Sequence, residues 1–257
     1  MKKIVGISLL FLLGVTILQS CYSVKKSEDY YGIKTSDIGK VVFVLDISGS
    51  MENIAERDVK GELINTATNV AADAAGSAVS HAIGGEAGQL AGSLLSKKTK
   101  KSLTKLQKAR KKLIPAIKGL PESTLFNVIV FENGVRVWRK TMQPATDANK
   151  LQAQAYIESL KAGGGTNIYE AMEKAFEFAG PGATDETKPL DVESIFLLSD
   201  GEPSAGPVTS TDGIREAVRK WNPLKRVKVH TIGLGDDCDE AFMRGLAADN
   251  GGVYIDK

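Results

Sequence analysis

Two rhythms alternate along this chain: short runs of unbroken apolar residues, and longer stretches in which apolar positions recur every three or four residues. The run Val41-Val42-Phe43-Val44-Leu45 has no polar alternation, which predicts a strand covered on both faces, the habit of a central strand in a parallel sheet. It halts at Asp46, followed by Ile47-Ser48-Gly49-Ser50. Leu125–Phe131 and residues 192–198 repeat the pattern, the latter ending in Ser199-Asp200-Gly201, and residues 227–234 and 252–255 supply two further strands. Residues 135–138 alternate instead, and Asn133-Gly134 just before them predicts a hairpin, because both residue types tolerate positive φ. Residues 147–160, 168–179, 211–221 and 239–249 read as helices, the first of them with Leu151, Ala155 and Leu160 inward. Strands alternating with helices predict an α/β fold: a doubly wound, mostly parallel sheet with one antiparallel strand and helices on both faces.

One expected element is out of place. No amphipathic helix follows directly on Ser50. Residues 53–100 instead form an insertion whose Ala- and Gly-rich part, residues 64–96, carries small residues in one four-residue register: Thr68, Ala72, Gly76, Ser80, Gly84, Gly88, Gly92 and Ser96. On a helix this is a flat stripe that lets another backbone approach closely, and it resembles the glycine-zipper segments of bacterial envelope proteins. It implies self-association through residues 64–96, or else a Gly-weakened insertion on the domain surface. Asp73, His81, Glu86 and Gln89 within it argue for packing against another helix rather than against lipid. The displaced helix follows, with Leu103, Leu106, Leu113, Ile114 and Ile117 near one face and a run of bases from Lys97 to Lys112, Lys105 among them. Those charges read as a solvated face, or as contacts to anionic head groups. Pro115 is expected to kink or end the helix.

At the start of the chain, Lys2 and Lys3 precede an apolar stretch over residues 4–18 and then Gln19-Ser20-Cys21. This is the layout of a secretory signal, and the stretch is shorter than the roughly 20 residues that a membrane-spanning helix requires. The segment resembles the lipobox of bacterial lipoproteins, with Cys21 as the lipidated residue, although Gln19 stands where a small or aliphatic residue is usual. Residues 1–20 would be removed and residues 21–39 would serve as a tether, leaving residues 40–257 as the domain. Tyr22 after the cysteine points away from inner-membrane retention, so the expected location is the bacterial cell envelope, lipid-anchored at the outer membrane or cell surface.

The formal charge of +2 includes Lys2 and Lys3, and residues 1–20 hold no acid, so the mature chain is neutral. That balance argues against a nucleic-acid partner. With Cys21 lipidated, Cys238 has no disulfide partner and reads as a packed residue. His81 and His230 have no neighbouring Cys or second His and read as structural.

The candidate chemistry gathers at strand ends. Asp46, Ser48 and Ser50, at spacing two, place one carboxylate and two hydroxyls on the same side of an extended segment. Hard oxygen donors of low total charge suit Mg²⁺, with Mn²⁺ or Ca²⁺ as alternatives, and suit zinc poorly. Gly163-Gly164-Gly165-Thr166-Asn167 opens a helix and can bring a backbone and the Thr166 hydroxyl close to a ligand; without a preceding strand or a Gly-Lys-Ser/Thr sequence it does not read as a nucleotide loop.

Taken in order, Asp46-Ile-Ser48-Gly-Ser50-Met, Gly164-Gly165-Thr166-Asn167 and Leu198-Ser199-Asp200-Gly201 resemble the three segments of the metal-ion-dependent adhesion site of von Willebrand factor A domains. The resemblance implies a six-stranded sheet. It implies that Ser48, Ser50 and Thr166 ligate Mg²⁺ through their hydroxyls, with Asp46 and Asp200 behind them through water. It also implies a binding module rather than an enzyme, one that captures a protein partner through a Glu or Asp carboxylate. Two other readings stand beside it: an oligomerising envelope scaffold with a vestigial metal site, and a Mg²⁺-dependent phosphatase resembling the haloacid dehalogenases. The second is weakened by Ser48 standing where those phosphatases carry a second Asp, and Asp236 and Asp237 read more simply as the polar start of the last helix.

Overall fold

The structure is a computed structural model, which describes residues 29–54 and 103–256. The signal segment, Cys21 and the insertion stripe at residues 64–96 lie outside the described residues. The strands are β1 (Lys40–Asp46), β2 (Leu125–Phe131), β3 (Val135–Val137), β4 (Gln143–Pro144), β5 (Ser194–Ser199), β6 (Lys228–Gly233) and β7 (Tyr254–Asp256). They form one sheet in the order β3-β2-β1-β5-β6-β7, with β4 paired to β2. The pairs β1·β2, β1·β5, β5·β6 and β6·β7 are parallel, while β3 and β4 both run antiparallel to β2. The expected six-strand path with its antiparallel β3 is present, and the two-residue β4 adds a seventh strand.

The helices are α1 (Lys105–Gly119), α2 (Asp147–Ser159), α3 (Ile168–Ala179), α4 (Thr211–Trp221) and α5 (Glu240–Asp249). Every side chain of the apolar run in β1 is buried, and the run divides between two cores. Val41, Phe43 and Leu45 face α1 and α2, whereas Val42 and Val44 face α3, α4 and α5. A strand with both faces covered has no use for polar alternation, which is why the run is continuous. Connections leave β1 toward β2 on one side and return through β5 on the other, so a topological switch point falls between β1 and β5. In open α/β sheets that is where ligands bind.

The structure departs from the sequence reading in several places. Residues 30–38 are not a free tether. Tyr30 is 1% exposed and sets its ring edge-on to Phe43 and Phe196, at 5.4 and 5.3 Å between centroids, so the packed unit begins before residue 40. In α2, Leu151 is 67% exposed and Ala155 is also exposed; Lys150, Ala153 and Ile157 face inward. The inward stripe lies one residue off the expected register, a turn of about 100° around the helix axis, and Leu160 is buried just past its end. Neither Asn133 nor Gly134 takes positive φ; the Asn133 side chain accepts a hydrogen bond from the Gly165 N–H at 2.8 Å, so it braces a neighbouring loop. Helix α1 continues through Pro115 to Gly119.

The insertion leaves and rejoins the domain at one place. Ile54 and Thr104 form an antiparallel bridge, and the Lys105 N–H donates to the Asn53 carbonyl at 2.9 Å. Thr104 then starts α1 with a reciprocal capping box: its hydroxyl accepts from the Gln107 N–H and its own N–H donates to the Gln107 side chain.

Candidate metal centre

Three loops meet outside the carboxyl ends of β1 and β5. Backbone hydrogen bonds stitch the first to the second: the Gly163 N–H donates to the Ile47 carbonyl at 2.9 Å and the Gly49 N–H to the Gly164 carbonyl at 3.0 Å. The second is stitched to the third by the Ser204 N–H, which donates to the Thr166 carbonyl at 3.0 Å, and by the Thr166 N–H, which donates to the Ser204 hydroxyl at 3.0 Å. Gly164 takes φ +76, a conformation that L side chains rarely adopt, and a Cβ there would lie 2.3 Å from the Glu132 carboxylate. The glycine run is therefore used for close packing against the β2–β3 turn.

The predicted residues come together. Asp46 and Asp200 are fully buried, Ser48 and Thr166 are buried, and Ser50 is half-buried. The Ser48 and Ser50 hydroxyl oxygens lie 3.1 Å apart, and the Ser50 hydroxyl donates to Asp200 Oδ1 at 2.8 Å. Thr166 joins them across Gly201: a Cβ on that glycine would sit 3.7 Å from Ser50 Oγ and 3.8 Å from Thr166 Oγ1. The space that a side chain at Gly201 would take is open to these two hydroxyls. This donor set of hydroxyls backed by carboxylates fits a hard divalent cation. Among the described residues no three His, Cys, Asp or Glu side chains gather into a metal-holding group.

Asp46 is held rather than presented. Its Oδ1 accepts from the Ser48 N–H at 2.7 Å and its Oδ2 from the Ser199 hydroxyl at 2.5 Å. Burial pushes its pKa up to about 6, helped by the nearby Asp200, while the hydrogen bonds from Ser199 and Ser48 pull it down.

Sequence reasoning missed four participants. Ser199 stood inside the quoted Leu-Ser-Asp-Gly motif without a role. Lys105 was counted with a solvated basic run, yet it is 2% exposed and its ammonium donates to Asp200 Oδ2 at 2.7 Å and also to Asp237. Asp237 is thus an ion-pair partner in addition to lying before α5, whose cap is Asp239. Gly235, at φ +89, gives the lysine room: a Cβ there would lie 2.7 Å from Lys105 Cε. Burial works to lower the Lys105 pKa, but its hydrogen bonds to Asp200 and Asp237 carry it above the ordinary lysine value. No local signal separated Lys105 from its basic neighbours, because its partners lie 95 and 132 residues away.

The remaining predicted residues have structural surroundings. His230 stacks on Phe196 at 4.7 Å, and its Nδ1 accepts from the Val253 N–H. Cys238 is a free, half-buried thiol whose pKa burial pushes up to about 12.

A family model for the von Willebrand factor type A domain matches residues 96–256, more than half of the chain. The chain belongs to the von Willebrand factor type A domain family. That match begins within the last residues of the insertion; β1 and the Asp46-Ser48-Ser50 loop precede it, and the sheet pairing joins them to the same fold. The family is known for metal-dependent protein interactions. Human inter-alpha-trypsin inhibitor heavy chain H4 is 35% identical over 153 residues, 58% of this chain and 16% of that protein. Human von Willebrand factor A domain-containing protein 3A is 34% identical over 131 residues, 50% of this chain and 10% of that protein. The chain thus spans less than a fifth of the length of these relatives. Among solved structures, a von Willebrand factor type A protein from Catenulispora acidiphila superposes with a TM-score of 0.55 at 17% identity, covering 85% of this chain and 38% of that one. An aerotolerance-related membrane protein from Bacteroides fragilis superposes with a TM-score of 0.52 at 16% identity, covering 85% and 90%. Both share the fold.

Proposed function

We propose that this chain is a divalent-metal-dependent protein-binding module, not an enzyme, which captures a Glu or Asp carboxylate of a protein partner at Ser48, Ser50, Thr166, Asp46 and Asp200. The observation that carries this reading is the convergence of the Ser50 and Thr166 hydroxyls over Gly201 beside the buried Asp200. Ser48, Ser50 and Thr166 would hold the ion, preferentially Mg²⁺ with Mn²⁺ or Ca²⁺ as substitutes, and Asp46 and Asp200 would orient the hydroxyls and set the local charge. A bound divalent ion supplies an incompletely neutralised Lewis-acid centre at which a partner's carboxylate can complete the coordination. Binding is favoured over phosphoryl transfer because both Asp46 oxygens already accept hydrogen bonds, which leaves that carboxylate poorly disposed as a nucleophile.

The module would be held at the bacterial envelope through a lipid on Cys21, at the outer membrane or surface, with residues 64–96 available for self-association. The membrane-related description of the Bacteroides fragilis neighbour is in keeping with an envelope location. Cys21→Ser is expected to release the protein from the membrane fraction, and unchanged fractionation would remove the lipid anchor from this reading.

The test of the metal site is thermal unfolding of the full chain in detergent, titrated with millimolar Mg²⁺ or Mn²⁺ beside Ser48→Ala and Thr166→Ala. A ligand that binds only the native state raises Tm. Metal-dependent stabilisation confined to wild type is the expected result; equal shifts in all three proteins, or none in wild type, would overturn the assignment.

A further inference from the structure

We infer that Lys105 is a built-in counter-cation of the metal centre, whose ammonium competes with the divalent ion for the charge of Asp200 and so weakens metal binding. The inference rests on the metal site proposed above. Its geometry is specific. Asp200 is fully buried and divides its two oxygens: Oδ1 takes the Ser50 hydroxyl at 2.8 Å, and Oδ2 takes Lys105 Nζ at 2.7 Å. The carboxylate therefore bridges the hydroxyl cluster and the lysine, and the ammonium does not take the hydroxyls' place.

The lysine is built in. Its side chain is 3% exposed, its stem passes over Gly235 where no Cβ fits, and Asp237 closes the far side of the ammonium. Its backbone N–H is tied at 2.9 Å to the carbonyl of Asn53, three residues beyond Ser50. Lysine and metal-binding loop thus form one unit, held at the point where the chain returns from residues 55–102. A positive charge fixed on the second oxygen of Asp200 neutralises the negative charge nearest to the hydroxyl cluster and repels a divalent ion placed there. The same ion pair gives Asp200 a partner when no metal is bound, so the loops keep their arrangement without one.

The experiment is a calorimetric Mn²⁺ titration of the full chain in detergent, comparing wild type with Lys105→Met, Lys105→Gln and Lys105→Arg, with Asp200→Ala as the site control, and with Tm read without metal. Removing the charge in the Met or Gln variant is expected to tighten Mn²⁺ binding by about tenfold or more and to lower the metal-free Tm. The Arg variant, which keeps the charge, should bind no more tightly than wild type. Equal or weaker binding in the neutral variants overturns the counter-cation role while leaving the metal site standing. Wild-type binding that survives in Asp200→Ala, or binding absent from every protein, overturns the metal site and this inference together. Gln retains a donor for Asp200, so it decides the question if Met fails to fold.

Discussion

The Ser199 hydroxyl donates to Asp46 Oδ2 at 2.5 Å, joining two fully buried side chains 153 residues apart at the ends of neighbouring strands. Ser199→Ala would leave that carboxylate oxygen without its protein donor. The expected loss is about 1–3 kcal/mol in urea unfolding, because an orphaned buried acceptor bears its desolvation penalty uncompensated. A loss below about 0.5 kcal/mol would mean that water replaces the hydroxyl freely.

Gly235→Ala tests the space through which Lys105 passes. The backbone sits at φ +89 and the added Cβ would meet Lys105 Cε at 2.7 Å. The substitution should cost about 1–3 kcal/mol in chemical denaturation. In a Lys105→Ala background the steric part of that cost should vanish while the φ penalty stays, so a smaller loss there is the expected double-mutant signature.

Tyr30 tests where the packed domain begins. Its ring is buried against Phe43 and Phe196, yet among the described residues its hydroxyl has no hydrogen-bond partner. Tyr30→Ala should cost about 3–5 kcal/mol and Tyr30→Phe should be neutral or stabilising. If the alanine variant unfolds at the same urea concentration as wild type, residues 30–38 are dispensable for the fold.

His230 gives the pH dependence. Burial, with Lys228 nearby, pushes its pKa from 6.5 down to about 4. As pH falls, the unfolded chain takes up this proton first, so stability is lost between about 6.5 and 4. Against His230→Phe, wild type should lose about 2 kcal/mol over that interval, after allowance for solvent screening. Asp46 acts in the opposite sense, since its pKa rises from 3.8 to about 6 and acid favours its folded form. The two therefore offset one another in the raw profile, and the comparison with the variant separates them. Parallel pH profiles for the two proteins would assign the acid transition elsewhere.

Much of this molecule was legible because it is local. The continuous apolar run at Val41 to Leu45 announces a doubly covered strand from its own composition, since burial on both faces removes any reason for alternation. The limits of α3 and α4 were legible from apolar spacing; that Asn167 and Ser210 cap them, their side chains accepting hydrogen bonds from the Glu170 and Gly213 N–H groups, is seen only in the structure. The register of α2 was not legible in the same way. Choosing between Leu151 and Ile157 as inward depends on which side of the helix meets the sheet, and either stripe satisfies the helical period.

For the site, the sequence alone determined the donor types and their order: Asp46, Ser48 and Ser50 after one buried strand, Thr166 at a helix start, Asp200 after another buried strand. Tertiary structure alone decided which charges share the centre. Lys105 reaches Asp200 because the chain returns from its insertion at Asn53 and because Gly235 leaves room for the side chain. Such a contact is set by strand order and loop closure across 95 residues, which no periodicity within the basic run encodes. Burial then makes it consequential, since at the protein surface the same lysine would be one more solvated charge.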